Sequence, residues 1–187
     1  LRTAFKSSIL KASDSRMVSR LTTQMMKVIQ ADAVSVRGMR NVIDGEATLL
    51  QGFEFNSGGK LSTTLFAPFT PTIDRATGKA SVHLAPFVAT EMISAPAGAT
   101  HYRILTAAAS VDFEKELYEQ DNQQSVYLAL EDAPTEVIDL EVTLPVGSTH
   151  PLFLGLGLEF LQEVNGVMYP LKNGAFNAFS LVKVDVE

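Results

Sequence analysis

Cysteine and tryptophan are both missing from this 187-residue chain. Without cysteine there is no disulfide staple, no thiol nucleophile, no thiolate zinc site and no iron–sulfur cluster. Without tryptophan, and with only four tyrosines, the flat aromatic platforms on which sugars stack are poorly supplied. Long apolar runs are missing too, since nothing approaches the roughly 18–20 residues of a membrane span. No Asn-x-Ser/Thr glycosylation acceptor occurs. The chain opens on Leu1 with no charged-then-apolar leader, and the expectation is that it begins partway through a longer precursor.

Catalytic motifs are equally scarce. No Gly-x-Ser-x-Gly elbow and no His-Glu-x-x-His helix is present, so serine hydrolases and metalloproteases have no support. Gly-Lys occurs in "GGKLS" and "TGKAS", but neither has the four-residue spacer after an upstream glycine, and neither lysine precedes Ser or Thr. These read as turns entering strands. His83, His101 and His150 have no ligand spacing to one another or to a carboxylate. The expectation is therefore no catalytic residue, no cofactor and no metal ligand set.

What is present belongs to a globular protein, with 46% apolar and 19% charged residues. The net charge of −6 hides an asymmetry. Residues 1–42 hold eight basic groups (Arg2, Lys6, Lys11, Arg16, Arg20, Lys27, Arg37, Arg40) against Asp14 and Asp32, a balance of +6; residues 43–187 carry −12. Either two solvated faces differ, or one part docks on the other within a chain or between chains. An acidic body of this kind repels phosphate, and the basic segment has no interleaved aromatics, so nucleic acid is not expected as a partner.

Val18, Leu21, Met25, Val28 and Ile29 recur at helical spacing and predict a helix, with Ser13 or Asp14 as N-cap, inside a helical stretch over residues 1–34. A weaker turn over residues 5–11 precedes it. Arg16, Arg20 and Lys27 project away from the apolar stripe. The stripe lacks large aromatics, so packing on its own domain is expected over a membrane-surface role.

From about Gly45 the apolar period changes to two. "LLQGFEFN", "KASVHLAPFV", "THYRILTAAASVDF", "QSVYLAL", "EVIDLEVTLPV", "LFLGLGLEFLQEV", "VMYPL" and "AFSLVKVDV" read as strands separated by Gly, Pro, Asn and Asp punctuation. Eight short strands without intervening helices predict a mainly β, antiparallel sandwich, Ig-like or jelly-roll-like. The expected division is a basic helical segment, 1–45, and an acidic sandwich domain, 46–187.

Residues 152–164 contain a Gly-x-Gly, but a dinucleotide fingerprint needs a third glycine at 160 and a helix beyond, and Phe160 stands there instead. Leu152, Leu154, Leu156, Leu158 and Phe160 fall on one face, and Asn165-Gly166 supplies a tight hairpin turn. Gly155 and Gly157 on the other face leave a groove, filled by the N-terminal segment or open as a docking surface. In "SVDFEKELYEQD", Asp112, Glu114 and Glu116 alternate and point one way if the segment is a strand. Solvent, a calcium ion or a basic partner surface such as Arg16 and Arg20 could meet them.

Taken together, "SRLTTQMMKVIQAD", "RGMRNVIDGEATLLQGFEFN", "TIDRATG" and "STHPLFLGLGLEFLQEVNGVMYPLKNGAFNA" resemble an uncharacterised family of small bacterial proteins with a helical front and a β-rich remainder. The resemblance runs over most of the chain, implies no activity, and carries no functional residue across. It also implies a basic segment ahead of the point where this chain starts.

These readings lead to the expectation of a non-enzymatic structural protein whose partner is itself. It would be the repeating subunit of a surface fibre, tail-like particle or other homopolymer; the sequence does not fix the compartment, and an extracellular or cell-surface location is the expectation. Arg16, Arg20, Lys27, Asp112, Glu114, Glu116, Gly155 and Gly157 are the residues expected at the contact. A sandwich module binding carbohydrate or peptide is the alternative.

Overall fold

The computed structural model describes residues 1–9, 12–36, 39–42 and 45–186. Lys11 and Arg37, two of the basic groups counted above, and the end of the helical turn expected over residues 5–11 lie outside them. The helices are α1 (Lys6–Ile9), α2 (Met17–Gln30), α3 (Leu61–Thr64) and α4 (Ala89–Met92). The strands are β1 (Phe69–Asp74), β2 (Lys79–Leu84), β3 (His101–Asp112), β4 (Leu117–Gln124), β5 (Leu128–Ala129), β6 (Ile138–Thr143), β7 (Leu152–Val164), β8 (Val167–Pro170) and β9 (Ala178–Asp185).

All pairings between these strands are antiparallel, and they form two sheets. The smaller has the order β1-β2-β6. In the larger, β3 and β7 are central; β4 and β5 share the outer side of β3, while β8 and β9 share the far side of β7. The fold is mainly β and sandwich-like, with helix at the N-terminus, as the pattern of short strands predicts.

The larger sheet is covered on both faces. Leu152, Leu154, Leu156, Leu158 and Phe160 of β7 join Tyr102, Ile104 and Ala108 of β3 against Val82, Leu84, Leu140 and Val142 of the smaller sheet. The opposite face presents Phe153, Leu105, Ala107 and Ala109 to Phe5, Met17, Leu21 and Val28 of the helical layer. Residues 152–161 are buried without exception. Burial on two sides is why this strand reads as an apolar run and not as an alternation. At its end Asn165 and Gly166 adopt φ of +51° and +77° and close the expected two-residue hairpin, with Val164 opposite Val167.

The helical layer and the large sheet share one core, in which Phe5, Phe55 and Phe179 pack with ring centroids 5.3–6.1 Å apart. A bulge in β9, where Leu154 pairs with Lys183 but Gly155 pairs with Leu181, shifts the alternation by one. It therefore turns Phe179, Leu181 and Val184 all toward the helices.

Several boundaries differ from expectation. α2 begins at Met17, its N-cap residue Arg16 makes no side-chain cap, and the Asp14 carboxylate instead accepts from the Arg16 amide at 2.7 Å. "LLQGFEFN" is not a regular strand. A 3₁₀ turn (Ala47–Leu50) is followed by residues that lie along β9, with the Gly52, Phe55 and Leu181 amides bonded across at 2.7–3.1 Å. β1 and β4 are additional strands. The sheet edges are mostly occupied: residues 52–55 cover β9, and Pro71 sits in edge strand β1. Where β4 meets β6, Gln123 Oε1 and Asp121 Oδ2 accept from the amides of Glu141 and Thr143 at 2.5 and 2.9 Å.

Candidate interaction surfaces

Both acids of the first 42 residues are turned inward. Asp14 accepts from the backbone amides of Arg16 and Ser57 and from the Arg20 guanidinium. Burial raises its carboxyl, but these hydrogen bonds outweigh that and bring it down to about 2 from 3.8. Asp32, only 1% exposed, accepts from the amides of Ser35, Val34 and Asn41, and the first of these chiefly lowers it to about 2. The outside of the helical layer therefore shows Arg2, Lys6, Arg16, Lys27 and Arg40 exposed, with no ion pair among the described residues.

Arg20 does not belong to that surface. Its guanidinium donates to the carbonyls of Glu54 at 2.6 Å and Phe55 at 3.1 Å, binds Asp14, and lies 5.4 Å from the centroid of the Phe53 ring. It latches α2 to the segment that covers β9, so it is spent within the chain. Arg16 and Lys27 remain exposed on the same side of α2, three turns apart.

The acidic cluster is a turn, not a strand face, which corrects the alternating reading. β3 ends at Asp112, whose Oδ1 accepts from the amides of Glu114 and Lys115 at 3.0 Å each, and Glu116 takes φ +56° in the reversal. The bond from Lys115 is the main cause that holds the Asp112 carboxyl below its ordinary value. Lys115 Nζ and His150 Nε2 stand 3.7 Å from Asp112 Oδ2. Glu114 and Glu116 are exposed, whereas Asp112 is buried and serves the turn. No group of three or more His, Asp or Glu side chains able to hold a metal occurs among the described residues.

Gly155 and Gly157 are likewise removed from any contact with a second molecule, because both are buried. The ring of Phe179 occupies the space above them, and a Cβ on Gly157 would also meet the Ala178 carbonyl oxygen at 2.8 Å. The groove is filled, as one reading expected, but by a phenylalanine of β9 on which Phe5 then packs.

A further charged pair lay in the strands unnoticed. Arg103 and Glu159 face each other in register across β3 and β7, with Arg103 Nε 2.6 Å from Glu159 Oε2. Tyr127 lies over the guanidinium at 5.2 Å. The sign that could have found it is Glu159 alone in an otherwise apolar run. Ser110 and Ser148 approach His150 and Asp112, but the two hydroxyls bond each other at 2.9 Å. Thr100 Oγ1 lies 3.0 Å from His101 Nδ1, the ring nitrogen being donor or acceptor according to its tautomer, and accepts from the Glu163 amide at 2.8 Å. His83 pairs with Asp139 at 2.6 Å on the exposed face of the smaller sheet.

No family model matches the chain, and no curated protein matches it. Among solved structures, the human F-spondin reeler domain (fragment 1) aligns with 10% identity over 67% of this chain and 99% of that one, at a TM-score of 0.22. A similarity that low carries no argument about fold or function.

Proposed function

We propose that this protein is a non-enzymatic structural subunit that associates with copies of itself, head to tail, through oppositely charged faces. The observation that carries the reading is the inward turning of Asp14 and Asp32, which leaves the outside of the helical layer cationic. Across the molecule, beyond both sheets, the outer face of the smaller sheet carries Asp139, beside His83, and Glu141, paired with Lys79 at 2.8 Å, while Glu131, Asp132 and Glu136 in the segment leading to it add the excess of negative charge. A contact between unlike faces propagates unless its rotation closes a ring. The occupied sheet edges turn the mechanism away from strand addition and toward contact between faces.

Carbohydrate binding on the outer sheet face has little to support it. Thr70, Thr72, Ser81, His83, Asp139 and Glu141 occupy that face without an aromatic ring.

Light scattering at about 0.1 M and about 1 M salt, where the Debye length is about 10 and 3 Å, tests the reading. Particle mass should fall as salt rises. Arg16→Glu with Lys27→Glu should weaken association at low salt without lowering the unfolding midpoint. A chain that stays monomeric at high concentration in both salts overturns it.

A further inference from the structure

The two flanks of the sandwich are closed differently. On one, β4 side chains bond the β6 backbone. On the other, β1 and β9 face each other across α3, and a cavity of about 570 Å³ remains open between them. That volume lies within the roughly 300–1,000 Å³ of small-molecule sites. We infer that this flank groove is a binding site for a small single-chain amphiphile with one negative charge, a medium-chain monocarboxylate.

The wall selects the tail. Leu61 of α3 and Leu65 just beyond it are members of the sandwich core, and Phe69 and Val182 pack against that core while remaining only half-buried. Side chains that line a void lack partner atoms on that side, and an alkyl chain supplies them while leaving water.

The rim selects the head. Three charged residues border the groove, and two are committed elsewhere. Arg20 is held by Asp14 and two carbonyls. The Glu54 carboxylate accepts from the amides of Leu61 and Ser62 at 2.9 and 3.0 Å, over the first turn of α3. Lys60 is exposed and has no ion pair among the described residues, and the exposed Ser62 stands at the same rim, whereas Ser57 is taken up by the Asp14 carboxylate. One free ammonium with the Ser62 hydroxyl beside it complements a single carboxylate better than a dianion, and it repels a cation.

Decanoate, titrated by calorimetry below its micellar concentration, is the probe; decanol and decyltrimethylammonium are the controls. Decanoate should bind one per chain, more tightly than decanol and much more tightly than the cation. Lys60→Glu should weaken decanoate about tenfold, a loss of one step on the affinity scale. Ser62→Trp, at the mouth, should abolish binding of decanoate and decanol alike. Thermal unfolding checks that both exposed-site variants fold. Absence of saturable decanoate binding overturns the inference, as does binding that ignores both variants or equal binding of the cation.

Discussion

Phe179 fills the space that two side chains on β7 would otherwise take, so the glycines at 155 and 157 are conditions for its seat among Phe5 and Phe55. Gly155→Ala should destabilise by about 1–3 kcal/mol, because an added methyl must displace a ring locked in an aromatic cluster. Pairing it with Phe179→Leu should recover part of the loss, and a double-mutant cycle by urea unfolding reads the coupling. Additive losses would mean that the methyl clashes with something other than the ring. Tyr102 is the opposite case. It is fully buried, and its hydroxyl has no hydrogen-bond partner among the described residues. Burial, then the charge of Glu131, pushes its phenol up to about 12 from 10. A raised value in the folded state gives stability that is complete below pH 10 and lost as pH climbs toward 12. Tyr102→Phe should raise stability at neutral pH by about 1 kcal/mol, by removing a buried donor without a partner. It should also flatten the alkaline limb of the stability profile. A loss of stability on this change would show that the hydroxyl contributes a favourable interaction.

At the scale of elements, the latch between α2 and residues 53–55 rests on Arg20. Arg20→Met keeps the stem and removes the donors, and should cost about 2 kcal/mol, in the range of charge-assisted bonds. Amide exchange should quicken in α2 and residues 52–55 and leave β7 protected. Uniform loss of protection would show instead that the latch is part of the global fold. The sequence does not announce this role, because the carbonyls that receive the guanidinium lie 34 and 35 residues away. Asn165-Gly166 and the leucines of β7 were legible, since a turn with two positive φ angles leaves a local mark and Leu recurs at every second position within the apolar run. β1 was hidden by Pro71, which argues against a strand unless the strand is an edge, as this one is. β4 was hidden because almost all its residues are exposed, so no apolar face marks it. Alternation at Asp112, Glu114 and Glu116 imitated a strand, yet the Asp112 carboxylate gathers two backbone amides and ends it. Asp112→Ala should therefore loosen the β3–β4 hairpin by about 1 kcal/mol, read as faster exchange of the β4 amides. Unchanged exchange would assign the turn to its backbone alone.

For the whole molecule, the acids that organise the helical layer also give it a particular acid sensitivity. Asp14 and Asp32 fall from 3.8 to about 2 in the folded chain by accepting hydrogen bonds, Asp14 from the distant Ser57 amide among others and Asp32 from the amides of the loop that follows α2. Depressed folded-state values mean that the unfolded chain binds protons first as pH falls. The stabilisation is thus complete above about pH 4 and lost as pH descends through about 2. Protonation removes acceptors that hold Ser57, Val34, Ser35 and Asn41, all of them in or beside the helical layer and none in β7. The layer should loosen before the sandwich does. Between pH 4 and 2, exchange protection in α2 should fall ahead of protection in β3 and β7, while far-ultraviolet strand signal persists. Asp32→Asn should lower stability at neutral pH and make the acid limb shallower, because a neutral amide keeps one acceptor but titrates nothing. If α2 and β7 lose protection together, the two cores open as one cooperative unit, and the shared Phe5–Phe55–Phe179 packing outweighs the carboxylates. If Asp32→Asn leaves the acid limb as steep as before, the carboxylate that senses pH lies elsewhere in the chain.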